Sequence, residues 1–110
     1  MSETIPFFDL ADELLAEAKQ AHSGRASRTV FGGRDRVMRQ TLIALAAEAD
    51  LAEHEPPTEA TLLVIKGAIA VRTSGDAWPL QAGEHIEIPR TRHSVHARDD
   101  SVFLLTVVPG

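Results

Sequence analysis

The residues of this chain best placed to do chemistry are two histidines, His54 and His93, each set beside a strand-forming run. His93 closes the stretch Gly83-Glu-His-Ile-Glu-Ile-Pro89-Arg-Thr-Arg-His93. It reads as a glycine turn, a short alternating strand, a proline that stops it, and a histidine entering the next strand. His54 stands upstream of the apolar run Ala60-Thr-Leu-Leu-Val-Ile65, which leads to Gly67. Imidazoles delivered by adjacent strands to one barrel interior make a metal site or a polar anchor for a small ligand. The competing reading is two part-buried side chains in a barrel mouth, bonded to water or to each other. Trp78, the single tryptophan, sits beside Pro79 just past a hairpin signal, and serves either as rim packing or as a wall for a stacked ligand.

The other histidines read as structural. Ile86 and Ile88 claim the inward face of their strand and leave His85 outward, and His96 has the opposite parity to His93. His22 falls at a helix C-terminus, where the dipole favours a cation. Arg25, Arg28, Arg34, Arg36 and Arg39 crowd one strand edge and turn, a solvated face with anion binding as the lesser alternative. There is no cysteine, which excludes disulfides, thiolate ligands and a cysteine nucleophile. No phosphate loop, nucleophile elbow or paired-carboxylate signature is present.

The elements that must position these residues are mostly strands. The spacing of Leu10, Leu14, Ala18 and Ala21 predicts a helix over residues 9–22, with Asp9 as N-cap and Ser23-Gly24 as the stop. Phe7 and Phe8, just before that cap, read as a staple or an interface anchor. After Gly24 the turn signals recur regularly: Gly32-Gly33, Pro56-Pro57, Gly67, Ser74-Gly75-Asp76, Pro79, Gly83, Pro89 and Asp99-Asp100. The short segments between them predict strands in a sandwich or barrel. The segments 60–65 and 102–108 are apolar on both faces, so one face should fill the barrel and the other be covered. A single helix stripe is too narrow to cover two strands, and a homodimer is expected to cover the rest.

With 110 residues and 44% apolar content the chain supports one core and one domain, an N-terminal extension at 1–24 followed by a barrel at 25–110. A net charge of −5, spread along the chain, argues against nucleic acid as partner. No apolar run approaches the roughly 20 residues of a membrane helix, and Met1–Leu15 does not read as a signal peptide. The expectation is a cytoplasmic protein with no membrane partner.

This order of signals resembles the cupin superfamily of small jelly-roll barrels over roughly residues 30–108. Gly83, five residues and Pro89 match the start of the second cupin motif, with Thr91 at the position of its second glycine and His93 one residue early. Anchoring the first motif on Gly67 sets His54 at its first histidine, Pro56 at its second and Ala60 at its glutamate. The run Leu51-Ala-Glu-His-Glu-Pro-Pro-Thr-Glu-Ala-Thr-Leu-Leu-Val-Ile-Lys-Gly67, with Ile88-Pro-Arg-Thr-Arg-His-Ser-Val-His-Ala97, is similar to small single-domain cupins of largely unassigned function. The resemblance implies an all-β jelly-roll barrel with the N-terminal helix packed outside. It also implies a site around His54 and His93, to which the reading of Trp78 as a wall adds a third residue. Of the usual metal ligands, two histidines and a glutamate from the first motif and one histidine from the second, only His54 and His93 align. Glu59 is one residue out of register and would face away unless a bulge near Pro56-Pro57 turned it inward, and Glu53 and Glu55 share that parity problem.

Three functions follow as expectations. The first is a barrel binding a small molecule beside His54 and His93, with no cofactor. The second is a metal-dependent cupin enzyme of dioxygenase or isomerase type, with a divalent transition metal on His54, His93 and Glu59. The third is a regulatory or sensory module in which the barrel is only scaffold.

Overall fold

Pro6 opens the N-terminal helix, α1 (Phe7–Gln20), in a computed structural model that describes residues 3–54 and 59–109, the side chain of His54 excepted. The helix begins two residues before the start expected from Asp9. Pro6 occupies the cap position with φ −78°, no side chain caps the helix, and Asp9 lies in the first turn, where its charge complements the dipole. Ala21 ends the helix, bonding back to Ala18 O and Glu17 O, and Gly24 at φ +72° turns the chain into the first strand. A Cβ on Gly24 would lie 2.9 Å from that of Ala49, so both the turn and the packing require glycine.

Nine strands follow: β1 (Arg25–Phe31), β2 (Arg39–Leu45), β3 (Asp50–His54), β4 (Glu59–Lys66), β5 (Ala68–Arg72), β6 (Ala77–Gln81), β7 (His85–Glu87), β8 (His93–Ala97) and β9 (Ser101–Val108). They form two antiparallel sheets, one in the order β1-β2-β9-β4-β7 and one in the order β3-β8-β5-β6. The expected all-β barrel with an external helix is thus observed.

Between the sheets lies one apolar cluster built on Leu45, Leu62, Val64, Ile69, Val71 and Phe103, each almost wholly buried. A second cluster lies outside the five-stranded sheet, where Leu10, Leu14 and Ala18 of α1 cover Leu42, Ala44 and Val102. Burying a leucine-sized side chain contributes about 1.5–3 kcal/mol, so both clusters matter to a domain of this size. The outer cluster also takes up Ile65 and Leu104, and Leu63 is half-buried. The helix therefore covers more of β4 and β9 than its stripe suggested. The outward positions it leaves open on these strands are partly polar, including Thr61 and Thr106.

Two contacts tie the far ends of the chain together. Gly67, at φ +83°, sits so close to Asp100 and Ser101 that a Cβ there would collide with Asp100 O and Ser101 Oγ. The buried Ser101 hydroxyl accepts from Ala68 N at 3.0 Å and donates to Asp99 O at 2.7 Å. Asp100 Oδ1 accepts from Ala47 N at 2.8 Å, and its Oδ2 lies 3.3 Å from Lys19 Nζ. The Ala47 bond, then Lys19, holds the Asp100 carboxyl below its ordinary pKa.

Candidate functional site

His93 is the first residue of β8, and its inward parity with Val95 and Ala97 follows from the strand that Pro89 frees to start again. Only 2% of it is exposed. Its Nδ1 lies 3.0 Å from the carbonyl oxygen of Thr91, which can only accept, so Nδ1 carries the proton. This bond fixes the orientation of the ring through the backbone two residues upstream.

His54, the last residue of β3, is the register partner of His93. Regular pairing from Leu51 opposite Val95 would set Glu53 against His93. Instead two residues of β3, Ala52 and Glu53, span the interval that Ser94 alone spans on β8, and this bulge brings His54 into register. Glu53 is exposed and paired with Arg92, Oε1 to Nε 2.8 Å, so it is engaged outside the barrel. The expectation that His54 lies before the strand containing Ala60 is refined: it closes a short strand of its own. Glu55, Pro56 and Pro57 lie outside the described residues.

Trp78 is half-buried on β6 and packs against the inner cluster. It pairs with Val71, which pairs with Val95, which pairs with Leu51. This row of inward residues lies next to the histidine row, and Trp78 stands two strand spacings from β8, about 10 Å. Trp78 is therefore a wall of the same end of the barrel interior, with core packing as its visible role.

Glu59 does not join the histidines. It is exposed, with Ala60 buried beside it, and the regular register of Glu59 with Val108 and Ala60 with Val107 gives no inward bulge there. A bulge is present in β3 between Leu51 and His54, whereas Pro56-Pro57, where the sequence suggested one, lie outside the described residues. Among the described residues no group of three His, Asp or Glu side chains is arranged to hold a metal ion. Ala60 is apolar and Glu59 faces outward, so neither is set to supply a third ligand beside His93.

His85 is exposed on the outer face, as its parity implied. His96 also points outward, but the sequence missed its partners. Its Nδ1 lies 2.7 Å from Asp50 Oδ1 and its Nε2 3.4 Å from Glu48 Oε2, with only 16% of the side chain exposed. Asp50 is its cross-strand partner, and Glu48 adopts a left-handed φ of 72° in the preceding turn. The signal was two carboxylates just before an outward strand position, readable only once β3 is paired with β8.

No family model matches this chain, and no curated protein matches it. Its fold does match solved structures. A cupin superfamily protein from Desulfitobacterium hafniense superposes with a TM-score of 0.76 at 15% identity, covering 100% of this chain and 94% of that one. A cupin-2 domain containing protein from Shewanella frigidimarina gives 0.72 at 20% identity, covering 97% and 95%. KdgF from a Halomonas species gives 0.67 at 19% identity, covering 83% and 84%. The two antiparallel sheets, the external helix and these superpositions together identify the fold of this chain as that of the cupin superfamily.

Proposed function

We propose that this cupin-fold barrel binds a small molecule in its interior beside His93 and His54. The observation that carries this reading is the buried His93 imidazole, held by Thr91 O beside the apolar inner cluster. A buried polar ring held in one orientation gives a directional polar contact, and the nearby Val95, Leu51 and Trp78 offer apolar walls. The matching ligand has a small apolar body and one hydroxyl, carbonyl or carboxylate. The backbone register of His54 with His93 supports a role for both residues in the same site.

Because Trp78 is the only tryptophan, its emission reports this interior without labelling. A panel of small carboxylic acids, hydroxy acids and sugars is expected to include compounds that shift it, with the response lost in a folded His93→Ala variant. A panel without effect, or an equal response in the variant, contradicts the proposal.

The proposal includes pairing of two copies. Large apolar side chains stand exposed at Phe8 (74%), Val37 (73%), Ile5 (43%) and Phe31 (39%). Phe7 and Val30, the neighbours of Phe8 and Phe31, pack in the outer cluster. Large apolar side chains left exposed favour self-association.

A further inference from the structure

The helix leaves part of the outer face of the five-stranded sheet open, and a cavity of about 370 Å3 lies there. This is within the range of small-molecule sites, about 300–1,000 Å3. Ala60, Ile88 and Val108 supply its apolar lining, and Glu59, Glu87 and Arg90 its charges. Thr61 and Thr106 add hydroxyls. The backbone register explains the grouping. Gln40 pairs with Thr106, Thr106 with Thr61, and Thr61 with Glu87, so one polar row crosses β2, β9, β4 and β7. Glu59 is two residues from Thr61 on the same face and therefore diagonal to Glu87, such neighbours lying about 7–8 Å apart.

Gln40 Nε2 donates to Thr106 Oγ1 at 3.2 Å, which uses an acceptor site on that oxygen and leaves its own proton to be donated. Some surface charges pair, as Lys66 with Asp12, Arg92 with Glu53 and Lys19 with Asp100. Among the described residues, none of Glu59, Glu87 and Arg90 forms an ion pair. A metal ion would meet the Arg90 guanidinium in the same cavity, and a simple anion would meet two carboxylates. Only a molecule carrying both signs satisfies both walls.

We propose that this cavity is a second binding site, for a small zwitterion of the amino-acid class. The ammonium lies at Glu59 and Glu87, the carboxylate at Arg90, and the threonine hydroxyls bridge between them. The test is amide NMR on the full chain with three probes of one carbon skeleton: 5-aminopentanoate, pentylamine and pentanoate. The expected result is shifts at Thr61, Glu87 and Thr106, with 5-aminopentanoate bound at least about fivefold tighter than either single-charge probe. Glu87→Gln and Arg90→Met should each remove that advantage while the rest of the spectrum shows an intact fold. No shifts at Thr61, Glu87 and Thr106, an advantage below about fivefold, or variants that keep it would overturn the proposal. The barrel interior is a separate test, since His93→Ala should leave the shifts at Thr61, Glu87 and Thr106 unchanged.

Discussion

His54 and His93 stand opposite each other on neighbouring antiparallel strands because β3 carries one extra residue between Leu51 and His54. Without that bulge Glu53 would oppose His93, and the register that supports a shared imidazole site would be lost. Inserting one alanine after Ala52 would, with the bulge kept, set Glu53 opposite His93, and is therefore expected to abolish any ligand response of Trp78 while the barrel still folds. An insertion variant that responds like the wild type would show that the register is irrelevant to the site.

Metal content follows from the same geometry. With Ala60 buried at one usual ligand position and Glu59 turned outward, protein purified from ordinary buffer is expected to carry far less than one transition-metal ion per chain. Elemental analysis checks this. Stoichiometric zinc, iron, manganese or nickel that disappears in His54→Ala would contradict it and favour the enzyme reading.

Gly67→Ala should be among the most damaging single changes to stability. The left-handed φ costs about 1–3 kcal/mol for a residue with a side chain, and the collision with Asp100 O and Ser101 Oγ adds to it. Urea unfolding should show a loss of at least about 2 kcal/mol. A loss below about 1 kcal/mol would mean that the turn relaxes freely.

The architecture was legible in the sequence where turn residues and apolar alternation agreed, as at Gly67, Gly83 and Pro89. It was not legible at β3 and β6. Asp50–His54 has a single inward leucine and a bulge, so it shows no period of two. Ala77–Gln81 is interrupted by Pro79, which is tolerated because β6 is an edge strand. The site was half legible: His93 follows from parity, whereas the placement of His54 depends on the bulge. The His96 cluster with Asp50 and Glu48 needed the pairing of β3 with β8, which no local pattern encodes.

Asp100 makes stability depend on pH in a known direction. Its folded pKa is below the ordinary 3.8, so its contribution is complete above about pH 4 and is lost as pH falls through the folded value. Asp100→Asn should therefore be less stable than wild type at pH 7, with the gap closing in acid. Denaturant unfolding at pH 7 and in a series below pH 4 measures it. A gap that does not shrink in acid would contradict the role of the charge.

Light scattering at micromolar concentration is expected to give about twice the 11.9 kDa chain mass. Phe8→Asp combined with Val37→Asp should weaken association by at least about tenfold, about 1.4 kcal/mol. Leu63→Glu should have a smaller effect, since Leu63 is already half-buried beside the helix-covered face. A monomeric wild type, or a double variant that associates normally, would refute this interface.

The most direct measurement is the state of the His93 ring nitrogens by long-range proton–nitrogen NMR, with and without a compound that shifts Trp78 emission. The account predicts a proton on Nδ1 in the free protein, held by Thr91 O, and a change at Nε2 when the compound binds. A free ring protonated on Nε2 alone, or a His93 signal unmoved by a bound compound, would contradict it.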